Sequence, residues 1–131
     1  MKLKKLDCLS LIVAAVCHDL GHDGFNNSYH VNAVTRRAID SNDGAVQEAY
    51  HAAELFRIIS QDRWNFTEKF SKDEFLVFRK RVTGLILSTD MARHVSDLST
   101  LNALINDNAI KDGQNIDKLI EGVEDKEKFK S

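Results

Sequence analysis

Three side chains able to bind a divalent cation arrive within five residues in the run His18-Asp19-Leu20-Gly21-His22-Asp23-Gly24-Phe25-Asn26-Asn27. His18 and His22 are four apart, so on a helix that runs on they share a face, as two imidazoles must to reach one ion. Asp19 adds a carboxylate, whose two oxygens can bridge two cations as an imidazole cannot. The His-Asp pair therefore suits a two-metal centre in which a bound water becomes a hydroxide nucleophile. Burying Asp19 just after Cys17 costs several kcal/mol without a partner, and a metal is one of few partners able to supply it. The competing reading has His18 capping a helix C-terminus and Asp19 paired with an arginine such as Arg36 or Arg93. That reading suits a bare His-Asp pair, whereas the longer string favours the metal.

The element that must carry His18 is the apolar run before it. Leu6, Leu9, Ile12, Val13 and Val16 fall on one helical face, and Leu11, Ala14 and Ala15 widen it until the segment reads as nearly surrounded. Lys2, Lys4 and Lys5 ahead of this run imitate a secretory signal. Asp7 interrupts the pattern, however, and bulky Val16 precedes Cys17 where a small residue is wanted. The run is about half the length a bilayer needs. Cys8 and Cys17 lack a metal or redox spacing and read as reduced core residues.

Apolar residues go on recurring three and four apart, so the 131-residue chain reads as all-α. It contains no proline where about six or seven are usual. Helices are expected at about 7–20, 28–40, 45–60, 73–93, 96–108 and 115–129. Ser41-Asn42-Asp43-Gly44 marks a turn, and Ser71 with Glu74 makes a capping box. His30 and His94 read as packing or capping histidines, Arg79-Lys80-Arg81 as a solvated face, and Trp64 with Phe66 as loop packing. Eighteen Lys and Arg against 20 Asp and Glu leave a net charge of −2, which argues against a nucleic-acid partner. Residues 111–131 form a charged tail in which a solvated helix, with Glu124 and Lys128 at favourable spacing, is expected.

The string H-D-x-x-H-x-G-x-x-N, with Tyr29 two residues on, resembles the signature of the class I cyclic nucleotide phosphodiesterases of the HD superfamily. Five fixed positions match by chance on the order of once in ten thousand chains of this size. Val46-Gln47-Glu48-Ala49-Tyr50-His51 resembles that family's L-E-N-H-H segment, and Leu85 to His94 resembles its L-A-T-D-M-x-x-H helix. The likeness covers about residues 6–105. It implies a multi-helix HD/phosphodiesterase-like bundle of which residues 1–131 are a central, incomplete portion, and a cyclic nucleotide (cAMP and/or cGMP) as substrate.

Residue by residue, the resemblance implies that His18 and Asp19 are metal ligands, with Asp19 bridging a tightly held zinc-like ion and a second ion, magnesium or manganese. His22, Glu48, His51 and Thr89 match groups that hydrogen-bond the waters on the second ion. Met91 matches a pocket-lining residue, and Gly24 and Asn27 match positions that shape the loop. Hydrolysis would proceed by in-line attack of the bridging hydroxide on phosphorus, with a protonated histidine donating to the leaving 3′ oxygen and a nucleoside 5′-monophosphate as product.

Two positions depart from the family pattern inside the match. Tyr50 replaces the first of two histidines, and Asp23 sits at a variable position on which nothing is expected to hang. The family's H-N-x-x-H segment, which carries the general acid, would precede His18, where this chain has no histidine. Its H-A-A-D-like helix and purine clamp would follow Thr100, and Asp107, Asp112, Asp117 and Asp125 lack that setting. The chain alone is therefore expected to be inactive or nearly so, with apolar faces open at both ends. The alternatives are another HD-superfamily phosphohydrolase or a catalytically dead helical module. A cytoplasmic location, no membrane segment in this chain, and any oligomer formed through regions outside it complete the expectations.

Overall fold

The computed structural model describes residues 4–106, and every regular element among them is helical. These are α1 (Lys5–Cys17), α2 (Asn27–Asn32), α3 (Arg36–Ser41), α4 (Val46–Ile59), a 3₁₀ turn at Asp62–Trp64, α5 (Lys72–Leu87) and α6 (Met91–Asn106). The helix expected at 115–129, the charged tail and the four late aspartates lie outside the described residues. Residues up to Asp90 form one unit, and α6 belongs to a second.

In the first unit, α1, α4 and α5 share a core of Ala14, Ala52, Leu55, Phe56, Ile59, Phe78, Val82 and Ile86. Phe78, Val82 and Ile86 recur every four residues and are fully buried, because that spacing brings them to one face of α5. Phe78 is the centre of an aromatic cluster, meeting Phe56, Phe66 and Phe70 edge to face at 6.4, 5.9 and 5.7 Å. The Ser71–Glu74 capping box starts α5 as expected: Glu74 N–H donates to Ser71 Oγ at 3.2 Å, and Ser71 N–H returns to the Glu74 carboxylate at 2.8 Å.

Several elements are shorter than the periodicity suggests. The expected helix 28–40 is two helices, broken at Val34, which adopts a left-handed φ of 49°, and restarted by Thr35 as the cap of α3. The expected helix 73–93 stops at Leu87, where the Ser88 and Thr89 hydroxyls donate back to Leu85 and Ile86 carbonyls, both at 2.7 Å. The turn at 41–44 is present, with Asn42 and Asp43 at φ 50° and 62°.

Side-chain environments also differ from expectation. Far from being surrounded, α1 exposes Leu11, Ile12 and Val16, the last two at 62% and 77%. Its Cys8 is exposed and Cys17 only half-buried, its thiol pushed up by that burial. The basic run on α5 is not simply solvated: Arg79 covers the Phe56 ring at 4.6 Å, and Arg81 pairs with Asp7 at 2.8 Å. Phe66 does pack, on Phe78, while the exposed Trp64 ring lies under the Arg63 guanidinium. Among the described residues no helix is long and apolar enough to cross a membrane.

Candidate active site

His18 is the residue at which α1 ends. Its Nδ1 lies 2.9 Å from the Ala15 carbonyl and so carries the hydrogen, which leaves Nε2 as the atom able to accept or ligate. Nε2 lies 3.1 Å from Asp19 Oδ2, so the imidazole nitrogen and a carboxylate oxygen sit side by side. The two side chains are 47% and 67% exposed, which corrects the burial argument for Asp19. Arg36, its candidate arginine partner, instead bonds Asp40 at 2.8 Å. Nor does the helix run on: the backbone reverses at Gly21, φ 71°, so His18 and His22 do not share a helical face.

His22 reaches the site through the loop instead. Its Nδ1 accepts the Gly24 N–H at 2.9 Å, and its ring stacks on His51 at 5.6 Å with planes 24° apart. His51 is buried, and its Nδ1 donates to the Leu20 carbonyl at 2.7 Å, so α4 holds both the loop backbone and the His22 ring. Gly24 sits at φ 89°, a conformation that costs glycine little and other residues more.

Asn27 couples the loop to α4 a second time. The N-cap of α4 is Ala45, which has no side-chain acceptor, and Asn27 Oδ1 accepts the Gln47 N–H at 2.8 Å in its place. The same amide donates from Nδ2 to Glu48 Oε2 at 3.0 Å. One side chain thus caps a helix some twenty residues away and orients the carboxylate beside it.

Asp23, on which nothing was expected to hang, is the hub of the loop. Its Oδ1 accepts from Gln47 Nε2 at 2.7 Å, from the Phe25 N–H at 3.3 Å and from His30 Nε2 at 3.3 Å, and its Oδ2 faces Arg37 at 3.3 Å. Desolvation pushes this carboxyl up. The Gln47 and Phe25 hydrogen bonds, the Arg37 charge and the His30 contact outweigh it and hold the group down at about 2. His30 is buried, as a packing histidine should be, with Nδ1 at 2.9 Å from Thr35 Oγ1. Tyr50 presents its ring to the Arg37 guanidinium at 3.5 Å and lies against Gly21. The residue in place of the family's histidine therefore packs the loop.

Arg37, Gln47 and Asp23 were the residues that sequence reasoning missed. The available signal was Gln47 itself, a polar residue beside Val46 at the buried start of α4.

Thr89 and His18 line one open groove of about 420 Å³, with Leu11, Ala14, Ala15, Leu85 and Ser88 supplying the rest of its wall. Met91 opens α6 in the second unit and is exposed. His94 lies on α6 and is likewise exposed. Among the described residues no three His, Cys, Asp or Glu side chains converge to hold an ion. The adjacent nitrogen and oxygen of His18 and Asp19 fit a metal in type and supply part of a coordination shell.

Residues 1–128 match the family model for 3′,5′-cyclic nucleotide phosphodiesterases, and the chain belongs to that family. It is 42% identical over 93 residues to a high-affinity cGMP-specific 3′,5′-cyclic phosphodiesterase 9A of Drosophila melanogaster, covering 71% of this chain and 6% of that protein. It is 40% identical to the 3′,5′-cyclic-nucleotide phosphodiesterase regA of Dictyostelium discoideum, over 70% of this chain and 12% of the relative. The crystal structure of the phosphodiesterase domain of the RhoPDE fusion protein from the choanoflagellate Salpingoeca rosetta superposes with a TM-score of 0.77 at 31% identity. That match covers 88% of this chain and 37% of the solved one. The chain thus spans a small part of the curated relatives and about a third of the solved domain.

Proposed function

We propose that residues 1–131 are the central segment of a catalytic domain that hydrolyses 3′,5′-cyclic nucleotides, cAMP and/or cGMP, to nucleoside 5′-monophosphates. The observation that carries this reading is the pairing of His18 Nε2 with Asp19 Oδ2 at 3.1 Å, in a loop whose His22 is stacked on His51 and whose Asn27 grips Glu48. Membership of the phosphodiesterase family supports it.

His18 and Asp19 are the residues that would hold metal, a zinc-like ion at a tight site and magnesium or manganese at a second. When bound, such ions would lower the pKa of a coordinated water and neutralise charge on the phosphoryl oxygens. His18 is oriented for this by the Ala15 carbonyl, which turns its hydrogen-bearing Nδ1 inward and leaves Nε2 outward. His51, with Nδ1 committed to Leu20, would offer Nε2 as an acceptor toward water held at such a site. Glu48 is presented by Asn27 in the same role, and Thr89 lines the same groove as His18. Met91 would line the substrate pocket. The family resemblance puts the proton donor for the 3′ oxygen outside these 131 residues, which alone should be inactive or nearly so. We assign the protein to the cytoplasm, where such signals act.

Metal content and hydrolysis, measured on an intact catalytic domain carrying this segment, test the assignment. His18→Ala and Asp19→Ala should each remove bound metal and lower turnover by at least about a hundredfold. Unchanged metal and turnover in both variants would remove the site assignment. Hydrolysis by the 131-residue chain at the rate of a full domain would refute its being a partial one.

A further inference from the structure

One guanidinium holds the chain on both sides of His22. Arg37 Nη2 donates to the Gly21 carbonyl at 3.1 Å, and Nη1 lies 3.3 Å from Asp23 Oδ2. Gly21 and Asp23 are the two residues flanking His22. Arg37 is itself fixed: its side chain is 18% exposed, Nη1 also donates to Gln47 Oε1 at 2.5 Å, and the guanidinium carbon lies over the Tyr50 ring, 3.5 Å from its centroid. A planar fork of donors can serve a carbonyl, a carboxylate and an amide at once, which a lysine ammonium on a single stem cannot do in the same geometry. Asp23 is tied down in turn by Gln47 and by its own Asx turn to Phe25. With its backbone held at both ends, the His22 ring has one resting place, Nδ1 on the Gly24 N–H and its face on His51.

We infer that Arg37, with Asp23 as its counter-charge, is a positioning residue that clamps the backbone on both sides of His22 and so sets where its Nε2 points. The role toward the second metal's waters rests on the function proposed above. The clamp itself does not. Neither Arg37 nor Asp23 matched a functional position of the family in sequence, and the arrangement exists only because α3 and α4 meet the loop at this point.

Imidazole nitrogen NMR on the full 131-residue chain tests the clamp without any metal. The intact chain should show His22 as a single tautomer with hydrogen on Nε2, and a slowly exchanging Gly24 amide. Arg37→Leu should mix the His22 tautomers and speed Gly24 exchange about tenfold or more, while His51 keeps hydrogen on Nδ1 and helicity holds. If that variant does not fold, Arg37→Lys takes its place and should show the same changes at smaller amplitude. Asp23→Asn should move His22 in the same direction, and the surface change Arg36→Leu should leave it alone. A folded Arg37 variant with an unaltered His22 ring and Gly24 amide overturns the inference.

In an intact catalytic domain, Mn²⁺ titration read by electron paramagnetic resonance should show the weaker site losing about 10- to 100-fold in affinity in Arg37→Leu, with the tight ion retained. Unchanged Mn²⁺ affinity there overturns the metal half of the inference. Absence of Mn²⁺ binding in the unsubstituted domain would instead strike the functional reading and leave the clamp standing.

Discussion

Asn27 offers a sharp test of how the loop is fastened to α4. Its Oδ1 caps the Gln47 N–H at 2.8 Å and its Nδ2 donates to Glu48 at 3.0 Å. Removing a helix cap costs about 1 kcal/mol. Losing a hydrogen bond to a carboxylate adds about 1.5 kcal/mol, the low end for charged partners because Glu48 keeps some access to water. Asn27→Ala should therefore destabilise the chain by about 2 to 3 kcal/mol, or roughly 10 to 20 °C in Tm for a folded unit near a hundred residues. Circular dichroism at 222 nm during thermal and guanidinium unfolding measures this directly. Asn27→Asp is the informative companion, because it keeps the cap acceptor but sets a carboxylate against Glu48. At neutral pH it should recover less than half of the alanine loss. Combining it with Glu48→Gln reverses donor and acceptor and should restore most of the stability. A loss under about 0.5 kcal/mol for Asn27→Ala, or full stability in Asn27→Asp alone, would refute the two-armed role.

Further outcomes follow from the same contacts. Asp23 is held at about 2, below the ordinary value near 3.9, so its stabilising effect is complete above about pH 4 and is lost as pH falls through 2. With the side chain one-third exposed, solvent screening leaves roughly 1 kcal/mol; acid titration of unfolding should show this step in the parent and not in Asp23→Asn. Gly21→Ala combines φ 71° with a Cβ only 3.1 Å from the Tyr50 ring, and should cost about 1 to 2 kcal/mol in chemical denaturation, eased by Tyr50→Ala. Phe78→Ala removes the middle of the aromatic cluster and should cost about 3 to 5 kcal/mol by the same measurement. Ile12→Glu, on the open face of α1, should leave the helicity of the 131-residue chain intact while lowering its self-association by light scattering.

Read as a string, the chain disclosed its helical class, the α5 capping box, the turn at 41–44 and the family to which it belongs. Each rests on residues close together in sequence, where spacing and local hydrogen bonding suffice. Helix ends were less legible. Val34, Ser88 and Thr89 break helices through a backbone angle or a side-chain bond to the preceding turn, against an apolar periodicity that runs straight through them. The burial of Asp19 was misread because α1 reads as nearly surrounded while its Ile12 and Val16 face solvent; His18 and His22 would share a face only on a helix that ran on, and Gly21 turns the chain instead.

By itself, then, the sequence singled out the residues proposed to carry chemistry, because His18, Asp19 and His22 are neighbours whose types are visible without coordinates. Only the tertiary structure decided what holds them. Asp23 meets Gln47 across 24 residues, Asn27 meets Glu48 across 21, and Arg37 reaches back 16 to Gly21. Polar bonds over such separations leave no periodicity to read. They depend on α3 and α4 meeting the loop, which is decided by tertiary packing and not by local spacing.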